Sequence, residues 1–245
     1  MKTIAIANRK GGVGKTATAH AIGAGLALRG YTILFIDLDP QANLTYELGA
    51  DEEAPITSMQ VLSGEATAED AIQHTEGGDI IAGSEDLATA DKYIEGAYRL
   101  RDALEPIAGS YDYCVIDLPP ALGILAVNAL TASQSVIIPA GAEVHSLKGL
   151  RRLSETISIV QEETNPELKV EGILVTLYRG RTILARDMRE NLEDMARQFN
   201  TKVFNTPIRH TTAIGEAQAM QTDIFSYSPR SNGAKDYNAL IDELL

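Results

Sequence analysis

The chain has 245 residues, of which 44% are hydrophobic and 22% charged, proportions ordinary for a globular protein. Its formal net charge of −13 opposes non-specific binding to nucleic acid or to an anionic membrane, so such binding would need a locally basic face. No apolar run approaches the ~20 residues that cross a bilayer, and no cleavage site follows the N-terminus, so we expect a cytoplasmic protein. Cys114 lies in an apolar run, which predicts a buried thiol. Because it is the single cysteine of the sequence, a multi-cysteine metal site within one chain is excluded.

Short β-branched segments alternate with helical patterns along the chain. The predicted strands are residues 3–7, 32–37, 79–82, 113–117, 135–139, 170–176 and 202–205. The predicted helices are residues 15–29, 84–108, 123–132, 147–164, 181–199 and 233–245, and the acidic stretch 50–55 is predicted to be a solvated loop. This alternation predicts an α/β fold: a doubly wound, mostly parallel sheet with helices on both faces. We expect residues 1–245 to form one domain.

The segment ANRKGGVGKT, residues 7–16, lies between the first predicted strand and the first predicted helix. It matches the phosphate-loop pattern G-x-x-x-x-G-K-[ST], except that Arg9 replaces the first glycine and a second lysine, Lys10, follows it. The glycines allow backbone amides to converge on phosphate, Lys15 would contact the β- and γ-phosphates, and the Thr16 hydroxyl would bind Mg²⁺. The alternative to a nucleotide-binding loop is a glycine-rich turn without a ligand, in which the lysine is simply exposed. The predicted nucleotide contacts in this loop are Lys10, Gly11, Gly12, Val13, Gly14, Lys15, Thr16 and Ala17.

Acidic residues follow two of the predicted strands. Asp37 and Asp39 end the segment ILFIDLD, and Asp117 ends YDYCVID. Ligands of α/β proteins bind at the carboxyl ends of parallel strands, where these side chains are expected to lie. Asp117 is suited to bind the metal ion, directly or through a water molecule, and Asp39 could orient or activate the hydrolytic water. Each residue alone could equally be a helix N-cap or a turn aspartate.

Together these segments resemble the ParA/MinD superfamily of P-loop ATPases, whose deviant loop reads K-G-G-x-G-K-[ST] and is complete here at residues 10–16. Among its members, the ParA/Soj-type partition ATPases are similar over nearly the whole chain. The segments that carry this resemblance, in order, are DLDPQANLT, DLPPALGILAVNAL, IPAGAEVHSLKGLRRL, GILVTLYRGRT, IRHTTAIGEAQA and YSPRSNGAKDYNALIDEL.

The resemblance implies an Mg²⁺-dependent ATPase that hydrolyses ATP to ADP and phosphate. In this superfamily the extra lysine, here Lys10, reaches across an ATP-sandwich dimer to the other subunit's phosphates, and hydrolysis releases the dimer. Arg9 is then no defect, because this loop variant does not use the first glycine. The implied catalytic residues are Lys10, Lys15 and Asp39. The implied metal-side residues are Thr16, Asp39 and Asp117, and the adenine contacts are expected around Thr176 and Pro207.

Partition ATPases of this kind bind DNA non-specifically as ATP dimers and are stimulated by a ParB-like partner with a basic N-terminal tail. The expected partners are therefore a second copy of the chain, double-stranded DNA and a ParB-like protein, with no membrane and with a nucleoid-associated location. One position that is basic in many relatives is Ala213 here. Candidate substitutes are Arg179, Arg181, Arg186, Arg189 and Arg209, although the same residues could form a solvated helix face paired with nearby acidic side chains.

Two other functions remain open at this point. A MinD-like membrane-positioning ATPase would need an amphipathic C-terminal helix with a basic face, whereas the chain ends DYNALIDELL, which is acidic and short. A metabolic enzyme or a metal-cluster carrier on the same fold is the other alternative. The cysteine count disfavours the carrier, and the partition-type C-terminal half disfavours a ligase. A cargo-positioning relative that uses the nucleoid as a track is compatible with these patterns.

Overall fold

The structure is a computed structural model in which residues 1–141, 146–180 and 183–245 are described, without the side chains of 146–148 and 183–189. Seven strands form one sheet in the order β3-β4-β2-β5-β1-β6-β7, parallel throughout except for the antiparallel pair β3–β4. The strands are β1 Lys2–Ile6, β2 Ile33–Asp37, β3 Ile72–Thr75, β4 Gly78–Ile81, β5 Tyr113–Asp117, β6 Ser135–Gly141 and β7 Lys169–Thr176. The predicted mostly parallel sheet is confirmed.

Helices cover both faces of this sheet. The α-helices are α1 Lys15–Ala27, α2 Asn43–Glu47, α3 Ser58–Ser63, α4 Arg99–Leu104, α5 Ile124–Ala132, α6 Ser146–Glu163, α7 Ile183–Gln198, α8 Thr212–Ala219, α9 Ile224–Tyr227 and α10 Asn232–Leu244. Two 3₁₀ segments, Glu85–Lys92 and Glu105–Ile107, flank α4. Among the described helices, none combines the length and apolar character required to cross a membrane.

Alternate residues of the central strands supply two separate hydrophobic cores. In β1, Ala5 packs into a core shared with α3, α5 and α6, whereas Ile4 and Ile6 pack into a second core with α1 and α10. Strand residues point alternately to opposite faces, so a parallel strand buried on both sides reads as a continuous apolar run. The doubly wound architecture is therefore confirmed, and Cys114 is fully buried within β5, as predicted.

The predicted strand at residues 202–205 is wrong: this segment forms only an isolated parallel bridge between Ile173 and Val203. The cause is a competing partner for its backbone. The backbone N–H groups of Asn205 and Thr206 both donate to the Glu243 carboxylate on α10, at 3.0 and 2.9 Å, and not to β7. The chain returns beside β7 further on, where Tyr178 bridges Arg209. An extended segment lies at this edge, but its regular pairing is interrupted.

The predicted helix at residues 84–108 is also wrong, because the structure divides it into two 3₁₀ segments and the short α4. Gly96 has a φ of +91° between the first 3₁₀ segment and α4, which ends any continuous helix there. Pro106 has no backbone N–H to donate within a helix, and it lies in the second 3₁₀ segment, after α4 ends at Leu104. The other predicted helices are present with shifted ends, and the start of the one predicted from Arg181 lies outside the described residues. The acidic stretch 50–55 is a loop, as predicted.

Candidate functional site

The glycine loop joins β1 to α1 and faces an open cavity of about 1050 Å³. Gly12 and Gly14 have φ values of +71° and +81°, a left-handed conformation that favours glycine. A Cβ added at either position would meet nothing within 4 Å, so the cavity approaches the backbone directly. Gly14 is also the residue before the first turn of α1, where unpaired N–H groups and the helix dipole favour an anion. The loop has the geometry of a phosphate cradle.

Two buried polar side chains support this loop from beneath. Asn8, only 1% exposed, donates to the Pro139 carbonyl at 2.6 Å and accepts from the Lys10 backbone N–H at 2.9 Å. The Thr176 hydroxyl at the end of β7 donates to the Val13 carbonyl at 2.8 Å. No local pattern indicated Asn8, and Thr176 was predicted only as a nucleotide contact. Both side chains fix the loop's shape, and Thr176 additionally lines the cavity.

Lys15, Thr16 and Asp117 meet at the start of α1. Lys15 is 7% exposed and lines the cavity together with Thr16. The Thr16 hydroxyl donates to Asp117 Oδ2 at 2.6 Å, while Asp117 Oδ1 is buried and has no hydrogen-bond partner among the described residues. Burial, and then the neighbouring Asp37 carboxylate, raise the pKa of Asp117 well above its usual range. A buried carboxylate oxygen without a partner, beside a hydroxyl, fits the oxygen ligands that Mg²⁺ prefers.

Asp37 and Asp39 are only two residues apart but have different environments. Asp37 is fully buried and accepts three hydrogen bonds, from the Asp39 N–H and from the N–H and hydroxyl of Thr45. Burial raises the pKa of Asp37, and these hydrogen bonds oppose the shift. Asp39 lines the cavity and accepts one hydrogen bond, from the Gln41 N–H at 3.0 Å. Asp37 therefore holds the loop in place, whereas Asp39 is the carboxylate that faces the cavity.

The far wall of the cavity follows the ends of β7 and of the extended segment beside it. Leu177, Ile208, Arg209 and His210 lie there, whereas Pro207 is outside the described lining. A further part of the wall comes from α8 and α10, and its residues are Ile214, Gly215, Gln218, Ala219 and Tyr237. These residues are brought together by the fold from distant parts of the sequence.

Arg209 is bound to Asp236 at this wall. Its Nη2 donates to Asp236 Oδ1 at 2.6 Å, its Nε contacts both carboxylate oxygens, and its backbone N–H donates to Oδ2 at 2.9 Å. The Asp236 side chain is 9% exposed, so it needs this partner. Arg209 therefore belongs to the cavity wall, and its charge is offset by Asp236 within the chain.

We expect Arg209→Ala to weaken ATP binding by about tenfold, because the nearly buried Asp236 carboxylate would be left unpaired in the wall that the nucleotide contacts. Calorimetry with ATP measures this effect, and the exposed Arg230→Ala provides a control with the same change in charge. An unchanged ATP affinity, combined with weaker DNA binding at saturating ATP, would instead make Arg209 a DNA contact.

The remaining predicted residues lie outside the described cavity wall. Lys10 is half-buried at the loop's rim, and Arg179 is exposed in the loop after β7. Arg186 and Arg189 fall on α7, where their side chains are not described, and Arg181 lies outside the described residues. The structure thus brings together the loop residues, Asp39, Asp117 and Thr176, and it separates them from the exposed Arg179.

Comparisons with known proteins give consistent results. Residues 1–170 match a family model described as an AAA domain. The chain is 40% identical to the sporulation initiation inhibitor protein Soj of Bacillus subtilis, covering 99% of this chain and 98% of Soj. It is 37% identical to the chromosome partitioning protein ParA of Caulobacter vibrioides, covering 100% of this chain and 94% of that protein.

A similar solved structure comes from Mycobacterium smegmatis, where a protein described as cobyrinic acid a,c-diamide synthase was solved with an ATP analogue and magnesium. It is 37% identical, with a TM-score of 0.86, over 100% of this chain and 94% of that one. The same protein was also solved with ADP and magnesium. The match of the family model over most of the chain and the full-length identity to Soj and ParA lead to one conclusion. The chain belongs to the ParA/MinD family of P-loop ATPases, among its ParA/Soj-type partition ATPases.

Proposed function

We propose that this chain is a DNA partition ATPase that hydrolyses ATP as a sandwich dimer. ATP with Mg²⁺ would occupy the cavity, and two copies would then close face to face. The observation that carries this proposal is the meeting of the glycine cradle with Lys15, Thr16, Asp117 and Asp39 at one edge of the sheet. The bound ADP, ATP analogue and magnesium of the M. smegmatis protein support the same ligands here.

Each residue has a defined task in this proposal. The loop amides and Lys15 bind the phosphates and offset their negative charge. Thr16 and Asp117 would hold Mg²⁺, which supplies further neutralisation of the phosphate oxygens. Asp39 orients the attacking water from the loop that Asp37 fixes. Since the carboxylates follow β2 and β5, the terminal phosphate faces that side, and the base points towards β7 and Arg209.

Lys10 acts between subunits in this proposal. It lies at the rim of its own loop, outside the described lining of the cavity that Lys15 serves. A cation supplied by the second copy would neutralise charge that develops during phosphoryl transfer, as an arginine finger does. ATP would thus hold the dimer together, and hydrolysis would release it. A ParB-like DNA-bound partner would stimulate this step, and the protein would act in the cytoplasm at the nucleoid.

A membrane-positioning role receives less support from the C-terminal helix. The apolar residues of α10, among them Tyr237, Leu240 and Ile241, are buried against the rest of the fold. Arg29 on the segment after α1 also binds Asp242 at 2.5 Å. A helix that lies in a membrane interface needs a free apolar face and benefits from a basic one. This helix uses its apolar face for folding.

DNA binding should require ATP and weaken steeply with salt, because phosphate contacts release counterions. We expect at least a tenfold loss of affinity between 50 and 200 mM salt, by fluorescence anisotropy on unrelated duplexes. Neutralising Arg179, Arg181, Arg186 and Arg189 together should remove most of the binding, whereas neutralising Arg99 and Arg101, which are exposed on α4, should not. Retention of DNA by the first variant would exclude that cluster as the contact surface.

A further inference from the structure

A buried carboxylate joins three helices at the side of the cavity. Glu47, the last residue of α2, is only 4% exposed. Its Oε2 contacts His20 Nδ1 on α1 at 3.0 Å, and its Oε1 accepts a hydrogen bond from Gln218 Nε2 on α8 at 2.5 Å. Glutamate is almost never buried this deeply without partners. Both oxygens are therefore committed to holding helices together, and we call these three residues the Glu47 clamp.

The three helices of the clamp carry three different parts of the site. α1 begins at the phosphate loop, α2 follows the loop that contains Asp39, and α8 forms the far wall of the cavity. Glu47 and Gln218 both line that cavity. A second link runs parallel to the clamp, since Gln221 Nε2 donates to the Tyr46 carbonyl at 2.9 Å. The clamp therefore connects the Asp39 side of the site to the opposite wall.

α2 needs such external support. It has five residues, and a helix this short is not stable by its own hydrogen bonds. At its inner side, Thr45 is anchored to Asp37. At its outer side, Glu47 is anchored to His20, whose ring packs edge-on against Phe35 of β2 at 6.2 Å between ring centres. Without the outer anchor, α2 keeps Asp37, the Gln221–Tyr46 contact and the buried Leu44, but the tie between the Asp39 loop and α1 is lost.

We propose that Glu47 is a positioning residue for ATP hydrolysis: it fixes the Asp39 loop relative to the phosphate-loop helix and to α8. Glu47 acts through Asp39, because its own oxygens are occupied by His20 and Gln218. A displacement of about 1 Å in a catalytic group is enough to slow a reaction by up to about a hundredfold. The catalytic part of this proposal rests on the proposed function, whereas the restraint of the Asp39 loop does not.

Hydrogen exchange on the nucleotide-free protein tests the restraint by itself. In Glu47→Ala, amides of residues 38–47 should exchange about tenfold faster, while those of β1 remain unchanged. Glu47→Gln should restore wild-type exchange, because its amide can still accept from Gln218 and donate to His20. Glu216→Ala is the control: it removes an exposed glutamate from α8 that binds Tyr227 instead. Unchanged exchange at residues 38–47 in Glu47→Ala would overturn the proposal.

Steady-state kinetics test the consequence for catalysis. We expect Glu47→Ala to lower kcat about tenfold with less than a twofold change in KM, and Glu47→Gln to retain most of the activity. A normal kcat in a Glu47→Ala protein with faster exchange would contradict the positioning role.

If Glu47→Ala does not fold, Gln218→Ala replaces it, since Gln218 is only half-buried and its loss removes one of the two hydrogen bonds to Glu47. Wild-type hydrogen exchange and a wild-type kcat in Gln218→Ala would contradict the proposal. A wild-type protein that does not hydrolyse ATP would refute the proposed function, and the exchange data alone would then decide the restraint.

Discussion

Replacing Lys15 by alanine is expected to abolish nucleotide binding. Lys15 is nearly buried at the start of α1, beside the loop whose glycines face the cavity. Hydrogen bonds to charged groups contribute about 1.5–3 kcal/mol each, so the loss of Lys15 should weaken ATP binding by about a hundredfold or more. Calorimetry with ATP measures the change, and circular dichroism checks that the variant is folded.

The matched control is Lys92→Ala, because Lys92 is exposed at the end of a 3₁₀ segment and does not line the cavity. That variant should bind ATP like the wild type. If Lys15→Ala retains the wild-type affinity for ATP, the loop is not the phosphate site. The assignments of Thr16 and Asp117 to the metal would fail with it, since both lie against the same loop.

Replacing Asp39 by alanine should separate ATP binding from hydrolysis. The Asp39 carboxylate accepts one hydrogen bond, from Gln41, so its removal leaves the loop anchored by Asp37 and Thr45. Without a group that orients the water, we expect hydrolysis to fall by at least about a hundredfold. ATP would then remain bound, and light scattering should detect a stable species of twice the monomer mass.

Asp37→Ala provides the contrast, because it removes three hydrogen bonds that organise the loop. That variant should lose thermal stability by several degrees, whereas Asp39→Ala should not. An Asp39→Ala protein that remains monomeric with ATP and hydrolyses it normally would show that Asp39 has no catalytic task. The two aspartates thus differ in their expected effect on thermal stability, although they are only two residues apart.

The phosphate loop could be predicted from sequence because its signal is local. The glycine positions, Lys15 and Thr16 lie within one short segment, and the flanking strand and helix have clear patterns. The ends of β2 and β5 were equally predictable, since apolar runs end at Asp37 and Asp117. Sequence patterns indicated a task for Asp39 but none for Asp37, because a donor that engages Asp37 is Thr45, eight residues further on.

The far wall of the site was less predictable because its contacts are distant in sequence. Arg209 was considered for DNA, but its partner Asp236 lies 27 residues away on α10. The Glu47 clamp includes a hydrogen bond between residues 171 positions apart, Glu47 and Gln218, which no local pattern connects. The error over residues 84–108 is different in kind. Gly96 and Pro106 were both visible in the sequence, and each indicates an interruption that a continuous helical pattern overlooks.

The central claim is that ATP in this cavity controls binding to DNA. A gel shift on non-specific duplex DNA tests it most directly, with ATP, with ADP and without nucleotide, using the wild type and Lys15→Ala. We predict that only the wild type with ATP retards the DNA, and that ADP or no nucleotide leaves the DNA free. Equal retardation in all three nucleotide states, or none in the ATP state, would contradict the claim.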